Sequence, residues 1–226
     1  MEELTFAQIA QATKIYFRDS AEFPLRMNVE LTVTDTSGQV RKHKTGKFDY
    51  DFHGFNVRSG NANTHLRGPR SLIKAALSIS GSSHLSMTLL FPDAEKNYIF
   101  TIVEPPPEPG WVAAHFSPVT PCEAVRWSEE VYTPAGLCGP LGLQINRDGV
   151  SLRKFTFDQT GLPAPANIDL IGLVTVSSYH VEADFQELLI AGDPKPFLVP
   201  KQVTVTIETD KGKITMRADY SAKTKK

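Results

Sequence analysis

From Leu25 the stretch LRMNVELTVT sets an apolar side chain at every second position: Leu25, Met27, Val29, Leu31 and Val33, with Arg26, Asn28, Glu30, Thr32 and Thr34 between them. Only an extended chain, whose side chains alternate between two faces, puts the first set on one side and the second on the other. A long half-buried strand is predicted. DTSG at 35–38 supplies turn residues, and Val40, Phe48, Tyr50 and Phe52 then alternate with Arg41, His43, Lys47, Asp49 and Asp51, so a long antiparallel hairpin follows. Beyond His53 the apolar phase changes, and Gly54 is expected to mark a bulge that bends the strand.

The same period of two returns further on. HLSMTLLF, with Leu85, Met87, Leu89 and Phe91 alternating, and the nearly apolar NYIFTIV are predicted as strands. LGLQINRDGVSLRKFTF shows two strands around an Asn146-Arg147-Asp148-Gly149 turn, GLPAPA at 161–166 is expected as a loop, and GLVTVSSYHVEADFQEL is strand-like. In the last hairpin Val203, Val205 and Ile207 face Ile214, Met216 and Ala218 across TDKG. Helical spacing appears twice. Residues 4–17 place Phe6, Ile9, Thr13, Tyr16 and Phe17 on one stripe, and RSLIKAALSI places Leu72, Ile73, Ala76 and Leu77 on another, with Ser71 as its expected cap.

About ten strands and two helices predict an α+β fold, mainly antiparallel β, whose sheet is too wide to lie flat. The expected architecture is a strongly curved open half-barrel, covered on its concave face by the N-terminal helix and the second short helix. EPPPEPG at 104–110 has linker composition, yet neither half would carry a full set of helices for its sheet; it is predicted as a rigid crossing within one domain spanning 1–226. Residues 218–226 are expected to be a partly disordered basic tail. With 24 Lys and Arg against 25 Asp and Glu, the net charge of -1 gives no field that draws nucleic acid or an anionic membrane. No apolar run approaches the roughly 20 residues of a transmembrane helix, and the first residues lack the basic and apolar regions of a secretion signal.

The chain has two cysteines, Cys122 and Cys138. Zinc sites favour short-spaced pairs and four ligands, and His115 is the only imidazole nearby, so no metal is expected. A redox pair would want C-x-x-C, and a catalytic thiolate an electropositive setting with a His base. Two readings remain: a disulfide closing a Pro- and Gly-rich loop, stabilising by about 3 kcal/mol, or two buried free thiols. The disulfide would place the protein in an oxidising compartment, periplasmic or extracellular, with its signal segment removed; without it a cytoplasmic location stands. Trp111 and Trp127 flank Cys122 and are candidates for a lid over an apolar site or for a partner surface, against simple packing on the disulfide.

Phosphate-binding, zinc-protease and nucleophile-elbow motifs are absent from the sequence. Asp49 and Asp51 share a strand face and read as a solvated edge beside Lys47; His53, His65 and His180 are scattered, and Ser83-His84 is a chance neighbour pair. No catalytic residue and no cofactor is assigned. Residues expected to face the concavity are Leu25, Met27, Val29, Tyr50, Phe52, Leu85, Met87 and Met216. Alternation alone does not tell a hollow interior from a filled one.

The leading amphipathic helix, the hairpin FPLRMNVELTVTDTSGQVRKHKTGKFDYDFHGF, the helix SLIKAALSI and the terminal VPKQVTVTIETDKGKITMRADY resemble the layout of the LolA-like periplasmic lipoprotein carriers and their half-barrel relatives. The resemblance implies a noncatalytic carrier that holds an acyl chain, a lipid or a lipidated peptide in the concavity, with a membrane-associated protein as a further partner. Two other readings stay open: a protein–protein interaction module with a solid core, and an enzyme whose site assembles only in three dimensions.

Overall fold

The computed structural model describes residues 4–13, 25–50, 69–122, 126–128, 130–135, 138–146, 151–188 and 197–222, without the side chains of Leu25, Asp49, Tyr50, Ala135, Leu162, Phe197 and Ala222. The predictions for residues 14–17, Asp51, Phe52, His53, Gly54, His65 and the turn at 147–149 lie outside the described residues. The N-terminal helix α1 covers Phe6–Ala12. Thr5 and Gln8 form a reciprocal capping box at its start, and Phe6, Ile9, Ala10 and Ala12 are its buried residues.

The predicted hairpin forms as β1 (Leu25–Thr34) and β2 (Val40–Tyr50), paired antiparallel. Its turn is built on Asp35, whose carboxylate accepts from the Ser37 hydroxyl at 2.6 Å, from the Ser37 and Gln39 amides and from Arg41. Those bonds hold its pKa down at about 2, the Ser37 hydroxyl contributing most. Gly38 supplies the positive φ. Val40, expected on the apolar face, is 55% exposed beyond a register shift at Val33/Thr34.

Helix α2 runs Arg70–Ser83, four residues longer than its apolar stripe suggested. Ser71 does not cap it. Pro69 holds the cap position, and the Ser71 hydroxyl lies inside the first turn, where it accepts from Lys44 of β2 at 2.9 Å.

The second correction concerns 84–91, predicted as a strand. Leu85–Leu90 is a 3-10 helix. His84 closes α2 in a helical conformation, its amide bonded to Gly81 and Ser82, and Met87 then bonds back to His84, so the chain continues turning and finds no strand partner. Leu85, Ser86 and Leu89 are the buried residues of this turn.

A four-residue helix α3 (Ala94–Asn97) leads into β3 (Tyr98–Val103) and β4 (Trp111–Pro118), which pair as neighbours, so the proline-rich segment joins a hairpin. Two short strands, β5 (Arg126–Trp127) and β6 (Pro134–Ala135), form a separate ribbon. β7 (Leu141–Asn146), β8 (Leu152–Ile168), β9 (Gly172–Leu188), β10 (Phe197–Thr209) and β11 (Gly212–Ala222) complete the set.

Two more expectations change here. GLPAPA is part of β8: past Phe157 that strand pairs with β9 alone among the described residues, so Pro163 and Pro165 break no ladder on the free side. The tail begins later than predicted, since β11 extends to Ala222 and pairs with β1 as far as Leu25. Ala218 and Tyr220 are buried.

The nine long strands make one antiparallel sheet in the order β2-β1-β11-β10-β9-β8-β7-β4-β3, and it does not close. Phe100, Phe116, Leu141, Phe157, Val181, Val205, Met216 and Leu31 stand directly opposite one another on successive strands. A second row, Ile102, Ala114, Leu143, Phe155, Ala183, Val203, Ala218 and Val29, runs beside it. Both rows belong to the core side. The other side is solvated and carries cross-strand ion pairs such as Lys154–Glu182 at 2.6 Å.

Candidate functional site

The apolar face is roofed by separate pieces. Phe6 of α1 meets Phe100 and Phe116 edge-on at 5.8 and 5.6 Å, covering the β3–β4 end. Helix α2 lies over β1, β2 and β9–β11, with Leu72, Ala75, Ala76 and Ile79 buried. Small residues let it come close: a Cβ on Gly46 of β2 would stand 3.1 Å from Leu72 Cδ1.

The third piece is a strap made of the β5–β6 ribbon and its flanks. It is pinned by a disulfide between Cys122 and Cys138, with Cα atoms 5.7 Å apart, so the staple reading of the two cysteines is the one the protein adopts. Tyr132 ties the strap to the rest. Its amide donates to Ser78 Oγ of α2 at 2.8 Å, and its hydroxyl donates to Asp169 at 2.5 Å, beside the Lys74 ammonium. Burial, helped by that acceptor carboxylate, pushes the Tyr132 hydroxyl well above the usual phenol range.

Trp127 of the strap meets Tyr179 of β9 edge-on at 5.8 Å. The Tyr179 hydroxyl hydrogen-bonds Ser82 of α2 at 2.6 Å, and burial raises its pKa strongly. Between strap and sheet lies a recess of about 200 Å³, counting its open mouth, lined by Trp127, Pro134, Gln159, Val176 and Tyr179 among others. It forms where β8 and β9 lose register between Thr160 and Ala164, with Gly161 at φ +77° in the bulge.

The predicted concavity residues divide. Met27, Val29 and Met216, at 1%, 2% and 0% exposure, lie on the sheet's core side. Leu85 and half-buried Met87 come from the 3-10 turn in the roof layer. Leu25 and Tyr50 sit at strand ends with side chains outside the described residues, as Phe52 is altogether. Trp111 and Trp127 are not a pair: Trp111 alternates with buried Val112 and so belongs to the outer face, its ring 5.1 Å from the Arg153 guanidinium, which is bound to Glu108.

Sequence reading missed Gln159. The signal was present in KFTFDQT, where Phe155, Phe157 and Gln159 share a parity. A glutamine at the third apolar position of a strand marks a polar break in a buried row.

The histidines divide as well. His180 meets Asp158 at 2.5 Å across β8–β9 on the outer face, in line with the neighbouring ion pairs. His84 is half-buried, the loss of solvent lowers its pKa, and its Nδ1 faces the Ser80 carbonyl at 2.6 Å. Ser83 gives its hydroxyl proton to the same carbonyl, so the Ser83-His84 pair is helix-end structure. Among the described residues no three His, Cys, Asp or Glu side chains come together in a way that would hold a metal ion, and no helix is long and apolar enough to cross a membrane. Compared with known proteins, the chain matches no family model and no curated sequence.

Proposed function

We propose that the chain is a noncatalytic binding protein for a hydrophobic ligand, an acyl chain, lipid or lipidated peptide, held between the apolar sheet face and its segmented roof. One observation carries the reading: among the described residues an apolar face eight strands wide belongs to a sheet that does not close, and short segments from different parts of the chain cover it, α1, α2 with the 3-10 turn that follows it, and the strap. Such covers can shift on the sheet without breaking its ladder, which gives a long apolar guest a way in. The sequence layout resembles that of the LolA-like carriers, and such a resemblance implies a ligand of this class. The disulfide fits a periplasmic or extracellular setting.

Native mass spectrometry of the gently purified protein tests this. Copurified acyl species, or saturable binding of a fluorescent fatty-acid analogue, is the expected result; no binding at high micromolar probe overturns it.

A second reading rests on the sheet's edges. β3 is an outer strand without a charged residue, and Ile99 and Val103 are 60% and 46% exposed on it. Such an edge is a template for an added strand. It makes an interaction module the alternative, in which the interior is a solid core.

A further inference from the structure

Gln159 occupies a position built for a hydrophobe. On its own strand it follows Phe155 and Phe157 on the core side, and across the sheet it opens a row that continues through Tyr179, Ile207, Ile214 and Val33. It is 5% exposed, yet neither its Nε2 nor its Oε1 has a hydrogen-bond partner. Burying both ends of a carboxamide unpaired costs about 1–3 kcal/mol for each group, and an aliphatic side chain there would avoid that cost. The Tyr179 hydroxyl, opposite Gln159 on the neighbouring strand, is already bonded to Ser82.

The recess at Gln159 is small and partly open, and the half-buried Trp127 ring is one of its walls. Nothing lining it is charged: Trp127, Pro134, Val176, Ser177, Ser178 and Tyr179 line it together with Gln159. An ionised carboxylate placed there would meet no cation and would turn negative oxygens toward Oε1. A carboxamide has one donor edge and one acceptor edge side by side, and its complement is another amide: a C=O for Nε2 and an N–H for Oε1.

We propose that Gln159 is the head-group site of this binding face and that it selects acyl chains ending in an uncharged amide, as in an N-acylated peptide, over free fatty acids. The assignment rests on the hydrophobic-ligand reading above and adds the chemistry of the head group. The amide enters beneath Trp127 and pairs with Gln159, while the chain runs along the neighbouring apolar face.

The test uses the full chain with Trp111→Phe, so that Trp127 is the reporting fluorophore, and compares decanamide with decanoate at pH 8, where decanoate is ionised. Decanamide is expected to shift Trp127 emission saturably and to bind at least about tenfold more tightly than decanoate, the discrimination of roughly one buried hydrogen-bonding group. In Gln159→Leu, or in Gln159→Met if the first fails to fold, the ratio should fall to about one. In the parent protein, the Gln159 side-chain amide resonances should move with decanamide and stay in place with decanoate. Equal affinity for the two probes, or a preference that survives loss of Gln159, overturns the head-group assignment and leaves the hydrophobic-ligand reading standing. If neither probe binds, with the Gln159 amide contacting solvent alone, both fall.

Discussion

Single residues carry two consequences that a titration or a substitution reads directly. Tyr179 is 1% exposed and its pKa is raised from 10.0, first by burial, with the Ser82 bond acting the other way. The unfolded chain ionises this phenol near pH 10 and the folded chain does not. Its contribution is therefore intact below pH 10 and is lost progressively as the pH climbs above it. Thermal melts should show the midpoint falling above pH 10, and Tyr179→Phe should flatten that fall while costing about 1 kcal/mol at neutral pH for the lost hydrogen bond. Gly212 closes the last hairpin at φ +130°, where an added Cβ would stand 2.0 Å from the Thr34 carbonyl oxygen. Gly212→Ala should cost more than about 1 kcal/mol in denaturant unfolding, because a positive φ and a backbone clash coincide. The TDKG turn was readable in the sequence; the close approach of β1 that makes its glycine irreplaceable was not, since Thr34 is distant along the chain.

At the scale of elements, legibility followed the number of partners. β1, β9, β10 and β11 have a paired strand on each side and one dry face, so their alternation is clean; the extents of β1 and β9 were read well, while β10 and β11 run beyond the predicted hairpin residues. Leu85–Leu90 has the same alternation, but α2 delivers the chain in a helical conformation, and local hydrogen bonding overrides the pattern. GLPAPA shows the reverse: its prolines look like loop, and a one-sided strand tolerates them. The strap was the least readable element, because its strands are two residues each and its position depends on a covalent link and on Tyr132. Replacing both Cys122 and Cys138 with Ser should lower stability by about 3 kcal/mol, the value for a loop of this length. Amide hydrogen exchange should then speed up at Ser128, bonded to Thr133, and at Tyr132, bonded to Ser78. Unchanged protection at both would mean that Tyr132 alone holds the strap.

Across the whole molecule the two edges of the sheet differ in kind. β2 carries Arg41, Lys42, His43, Lys44 and Lys47, a density of positive charge that repels a second copy of itself. β3, YIFTIV, has no charge to discourage pairing. Ile99→Lys should leave stability within about 0.5 kcal/mol, since the side chain is mostly in water, while reducing any concentration-dependent association seen by sedimentation velocity. An unchanged sedimentation profile from an associating parent would place the contact elsewhere.

The strand order also brings the first long strand beside the last, because β1 pairs with β11. During synthesis the first hairpin must wait for β11 before its inner edge is satisfied. A polypeptide released early, short of Gly212, would leave β1 and β10 each with one unpaired edge exposed to whatever it meets, and quality control in the cell would see a sticky fragment.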